Sequence, residues 1–133
     1  MRNDAPALQL LVYSAELLDH FQNPRNAGEL AEPDFSARLE NPVCGDILEL
    51  SARVEETKSD GKRVTEIRFR AKGCVPTMAC ASAITELVKG KTPAEARLVG
   101  RAELLQKVGG VPETSSHACQ LALDTLAALL RKL

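Results

Sequence analysis

Four cysteines, Cys44, Cys74, Cys80 and Cys119, are the residues of this sequence best suited to chemistry. Cys44-Gly45-Asp46 joins a thiol and a carboxylate through a glycine, which can turn the chain so that both groups face the same space. Cys74 immediately precedes Val75-Pro76, at the entrance to a predicted helix, where unpaired N–H groups and the helix dipole favour a thiolate. Cys119 follows the candidate capping residues Thr114, Ser115 and Ser116, so the same electrostatic argument applies, and His117 adds a ring nitrogen beside it. Thiolate, imidazole and carboxylate are the ligand types that zinc and iron–sulfur clusters use. No C-x-x-C pair is present, and plain structural roles compete. Asp46 can stabilise a turn, Cys44 and Cys119 can be packing residues, and His20 reads as a surface or capping side chain. Cys80 shares helical spacing with Ile84, Leu87 and Val88, which favours a core cysteine over a ligand or sulfur relay.

The elements that must position these residues follow from the hydrophobic period. Leu10, Leu11, Ser14, Leu17, Leu18 and Phe21 recur at helical spacing before the breakers Asn23-Pro24 and Ala27-Gly28, predicting a first helix over roughly residues 9–22. Phe35, Ala37 and Leu39 alternate with polar neighbours, as do Leu48, Leu50, Ala52 and Val54, and then Ile67, Phe69 and Ala71. With Ser59-Asp60-Gly61 as a turn, the runs predict a three-stranded meander with one charged, wet face. A central helix over roughly 76–89 begins near Pro76 and ends at Gly90. Short helices are expected after Thr92-Pro93 and over 101–108, and a final helix over about 115–131 after Gly109-Gly110-Val111-Pro112. Strands first and helices after predict an α+β fold, a three-stranded antiparallel sheet with helices packed on one face.

Composition narrows the function classes. A chain of 133 residues fits one domain over 1–133, with 1–8 expected to be flexible, and can bury a core without a structural metal. The net charge of −1, with lysines and arginines dispersed among acids, leaves no footprint for nucleic acid or anionic membrane. One tyrosine, three phenylalanines and no tryptophan offer few rings for base stacking. The N-terminus lacks the pattern of a signal peptide, and no apolar run reaches the roughly 18 residues of a membrane span. The expected location is the cytoplasm, where cysteines are thiols or metal ligands rather than disulfides.

Several segments together resemble a known family. Tyr13-Ser14, the run Asp19 to Asn26 (DHFQNPRN), Asn41-Pro42-Val43-Cys44-Gly45-Asp46, Gly73-Cys74, the run Thr85 to Lys91 (TELVKGK) and a cysteine near the final helix look like the U-type iron–sulfur cluster assembly scaffolds, the IscU and NifU N-terminal-domain family. The likeness runs in order along nearly the whole chain and is more specific than any one motif. It implies a SufE/NifU-like fold and a non-enzymatic carrier. Iron and sulfur from a cysteine desulfurase would be assembled on it into a [2Fe–2S] cluster and passed to apo iron–sulfur proteins. By position, Cys44, Cys74 and Cys119 match the family's three cysteines and Asp46 its aspartate.

The sequence departs from the family pattern in two places, which marks it as a divergent member. The family has histidine directly before the last cysteine, whereas this chain reads Ser116-His117-Ala118-Cys119. On a helix one residue turns a side chain by roughly 100°, so His117 joins the site only if the helix start or the loop compensates. Pro112-Glu113-Thr114-Ser115-Ser116 preserves little of the family's Leu-Pro-Pro-Val-Lys segment, which counts against engagement of an Hsp70-type chaperone. Two other functions compete. One is a zinc-containing sulfur acceptor for a desulfurase, a branch of the family distinguished by an insertion for which the 44 residues between Cys74 and Cys119 leave no room. The other is a degenerate interaction module of the same fold.

Overall fold

The computed structural model describes residues 12–58 and 61–133. The predicted flexible segment 1–8 and most of the Ser59-Asp60-Gly61 turn lie outside those residues. The elements are α1 (Ala15–Gln22), β1 (Phe35–Glu40), β2 (Ile47–Thr57), β3 (Gly61–Lys72), α2 (Val75–Val88), α3 (Pro93–Arg97), α4 (Arg101–Lys107), a 3₁₀ turn (Glu113–Ser115) and α5 (Ser116–Leu130).

The strands form one antiparallel sheet in the order β1-β2-β3. Alternation puts Leu48, Leu50 and Ala52 of β2 on the inner face with Ala37 of β1 and Val64, Ile67 and Phe69 of β3, all buried. The spacing of Val64 and Ile67 breaks strict alternation. Arg53 pairs with Glu66 but Val54 pairs with Val64, so Thr65 is the extra residue of a bulge that returns Val64 to the core. The outer face is charged and wet, as expected, with Arg70 paired to Glu49 at 2.8 Å. An unpredicted contact covers the free edge of β3. Gly28 N–H donates to Phe69 O at 2.9 Å and Phe69 N–H to Asn26 O at 3.0 Å, so the chain leaving α1 runs along that edge.

The helices pack on the inner face. α2 touches β3, α1, α4 and α5, and α5 lies against β1 and β2. The single apolar stripe expected for α2 is wider in the structure. Small residues Ala79, Ala81, Ser82 and Ala83 let neighbours approach on several sides, and Thr77, Ser82 and Thr85 are buried with them. Within the first helix expected over 9–22, Val12 is helical and a break at Tyr13-Ser14 precedes the helix Ala15–Gln22. Ser14 is extended and its Oγ accepts from Leu17 N–H at 2.9 Å, the geometry of an N-cap, while residues 9–11 lie outside the described part. His20, expected at the surface or in a cap, is 4% exposed. Its Nδ1 lies 2.8 Å from Ser82 Oγ, because the α1 face that carries Leu17 also carries residue 20. Thr92 and Glu95 close a capping box that starts α3. Among the described residues no helix is long and apolar enough to cross a membrane.

The register fixes where the ends of the strands meet. Glu40 pairs with Ile47 and Ile47 with Lys72, so the connection 41–46 lies at the same end of the sheet as the step from β3 into α2. The first turn of α5 reaches that end, since it follows the 3₁₀ turn and packs over β1 and β2.

Candidate metal centre

The connection between β1 and β2 is closed around one asparagine. Asn41 Oδ1 accepts from Val43 N–H at 2.9 Å and Cys44 N–H at 3.4 Å. Its backbone carbonyl accepts from Gly45 N–H at 2.7 Å, and its N–H donates to Asp46 O at 2.8 Å. Gly45 takes φ +75°, a conformation that side-chain-bearing residues rarely adopt, and the chain thereby turns Asp46 inward. Asp46 is 7% exposed, whereas Cys44 remains exposed on the outside of the turn.

Asp46 meets the start of α2. Cys74 is the N-cap residue, with φ −75° and ψ 170°, and its side chain makes no capping bond, which leaves the sulfur free to face the cleft. Its Sγ lies 3.6 Å from Asp46 Oδ2 and 3.2 Å from Thr77 Oγ1. Thr77, one turn on and 1% exposed, donates from Oγ1 to the same Asp46 oxygen at 2.6 Å. Gly73 makes the approach feasible, because a Cβ at that position would stand 2.7 Å from Asp46 Cγ.

The third side comes from α5. His117 Nε2 is 4.0 Å from Cys74 Sγ and 3.7 Å from Asp46 Oδ2. One sulfur, one nitrogen and one oxygen, from Cys74, His117 and Asp46, all lie within 4.8 Å of one another. Among the described residues no other group of three such side chains is drawn this close. A carboxylate, a thiolate and an imidazole converging from three elements can hold one metal ion with a coordination position left open. The donor set fits zinc or iron.

The remaining cysteines stand elsewhere. Cys44 is on the adjoining turn but outside the converging group. Cys119 is fully buried, with its Sγ 3.7 Å from Cys80 Sγ in the core between α2 and α5. The hydrogen bond shared with Cys119, together with burial, holds the Cys80 thiol well above the ordinary thiol range. The departure from the family pattern therefore has a geometric counterpart. α5 begins at Ser116 and buries Ala118, Cys119, Ala122, Leu126 and Leu129, which rotates His117 into the cleft. Thr77 was not singled out from sequence. Its position three residues after Cys74, on the same face of a helix start, was the available signal.

Residues 12–132 match the NifU-like N-terminal domain family. The chain is 37% identical over 115 residues to the iron–sulfur cluster assembly scaffold protein IscU 1 of Archaeoglobus fulgidus, covering 86% of this chain and 72% of that protein. It is 31% identical over 123 residues to the scaffold protein IscU of Escherichia coli K12, covering 90% and 92%. The fold is shared with the N-terminal region of a nitrogen-fixing NifU-like protein from Brucella abortus, with a TM-score of 0.69 at 22% identity, over 91% of this chain and 93% of that one. On the extent of these matches, the chain belongs to the family of NifU-like N-terminal domains.

Proposed function

We propose that this protein is an iron–sulfur cluster assembly scaffold. It takes iron, and sulfur from a cysteine desulfurase, builds a [2Fe–2S] cluster as cargo and releases it to apo-proteins. The observation that carries the reading is the convergence of Asp46, Cys74 and His117 within 4.8 Å at one end of the sheet. Relatives named as assembly scaffolds, at 31–37% identity over most of the chain, support it. In this reading Asp46, Cys74 and His117 are the first ligands. Cys44 supplies a second thiolate when its exposed turn folds over the cleft. Cys119, the third family-position cysteine, becomes a ligand only after the first turns of α5 rotate. A mixed donor set that includes an oxygen and is open to solvent holds a cluster less firmly than four buried thiolates, which suits a cargo that must leave.

The donor set also supports a second reading, a zinc-containing sulfur acceptor, because one sulfur, one nitrogen and one oxygen around an open position form a tetrahedral zinc site. Anaerobic reconstitution with iron, sulfide and a desulfurase, read by visible absorption and metal content, separates the two. The scaffold reading expects a labile cluster that is lost in Cys74→Ala and is transferred to an apo-ferredoxin. Tightly retained zinc with no cluster would replace it with sulfur acceptance, and neither metal nor cluster would overturn both.

A further inference from the structure

Cys80 and Cys119 form a second cysteine site, separate from the converging ligands. Their sulfurs lie 3.7 Å apart, both residues are fully buried, and they come from different helices, α2 and α5. Each helix also carries one side of the metal centre: Cys74 caps α2 and His117 sits in the first turn of α5. We propose that Cys80 and Cys119 are an oxidisable dithiol, a disulfide site that cross-links α2 to α5 and locks the first turns of α5 in the register that points His117 at Cys74 and Asp46. Formation of the cross-link does not depend on the scaffold reading; its consequence does, because the oxidised state withholds Cys119 from the ligand set that reading assigns after rotation of α5.

The geometry asks for little movement. A disulfide needs sulfurs about 2.05 Å apart, so the pair closes by under about 2 Å through side-chain rotation and a small helix shift. The oxidant is hydrogen peroxide, close to water in size, admitted when the first turns of α5 open locally. One sulfur attacks a peroxide oxygen, the O–O bond breaks, and the departing hydroxide takes the thiol proton and leaves as water. The sulfenic acid so formed is attacked by the second sulfur. The S–O bond breaks as the S–S bond forms, and the hydroxide leaves as water with the second proton. Two thiols are oxidised to one disulfide and one peroxide is reduced to two waters. Burial keeps a second peroxide away from the sulfenic acid, so the partner thiol reaches it first.

The test uses the full metal-free chain with its exposed thiols, Cys44 and Cys74, blocked by alkylation in the native state, so that it does not depend on metal binding. After peroxide treatment, non-reducing peptide mapping by mass spectrometry is expected to recover the Cys80 and Cys119 peptides joined. The denaturation midpoint rises, with an unfolded fraction on the order of 100-fold smaller, and dithiothreitol reverses the change. Amide exchange at residues 120–123, in the turns that follow Cys119, slows at the same time. Cys80→Ala and Cys119→Ala each abolish both the joined peptide and the rise. Recovery of Cys80 and Cys119 as free thiols, or as separate sulfinic acids, after prolonged peroxide exposure overturns the proposal.

Discussion

Thr77 Oγ1 donates to Asp46 Oδ2 at 2.6 Å, tying the first turn of α2 to the β1–β2 connection through a buried hydrogen bond. The same hydroxyl oxygen is 3.2 Å from Cys74 Sγ, so one side chain orients two of the three converging groups. Thr77→Val keeps the shape and removes the donor. Groups that orient metal ligands in this way change affinity by roughly 10–100-fold. Zinc or iron affinity, measured by chelator competition, is expected to fall by about 10-fold or more in Thr77→Val and to recover in Thr77→Ser.

Gly73 serves the site by having no side chain. A Cβ there would lie 2.7 Å from Asp46 Cγ and 2.8 Å from Oδ1, closer than packed atoms tolerate. Gly73→Ala is expected to push Asp46 out of the cleft, costing about 1–3 kcal/mol of stability and most of the metal retention. Urea unfolding and metal titration of the same sample check both effects.

His117 and Cys119 separate the ligand role from the packing role. His117→Ala removes a nitrogen 4.0 Å from Cys74 Sγ and is expected to weaken retention of cobalt(II) and alter its absorption spectrum. Cys119→Ala leaves a small cavity in the core and is expected to cost about 1–2 kcal/mol while leaving the cobalt spectrum unchanged. The opposite pattern would make Cys119 the ligand in solution.

His20 links stability to pH. Burial and the nearby Arg25 charge hold its pKa below the ordinary histidine value of 6.5, against the opposing effect of Glu86. Asp19, Arg25, Glu86 and Lys107 are the charged groups that act on it or on its partner. Above about pH 6.5 both folded and unfolded chains carry a neutral ring, and the full stability is present. Below that value the unfolded chain takes up a proton that the folded chain refuses, so stability falls until the folded pKa is passed. Urea midpoints measured from pH 7.5 to 5.5 are expected to decline, with a slope of at most about 1.4 kcal/mol per pH unit from this group. His20→Gln, less stable at neutral pH, is expected to lose that part of the slope.

Local sequence determined the elements. Alternating runs around Leu48, Leu50 and Ala52 give strands, and the helical period around Ile84 and the breaker Gly90 give α2, because these signals depend only on near neighbours in the chain. Composition alone does not report the bulge at Thr65 or the strip at Asn26–Gly28 on the β3 edge, since both are hydrogen-bonding choices made with a distant partner. The same distinction runs through the site. The glycine turn before Asp46 and the helix start after Cys74 were readable, and sheet register brought them together. Which side chain of α5 faces them could not be read locally, because each residue rotates the helix by roughly 100°. Tertiary packing decided it: burying Cys119, Ala122, Leu126 and Leu129 turned His117 toward Cys74 and left Cys119 facing Cys80.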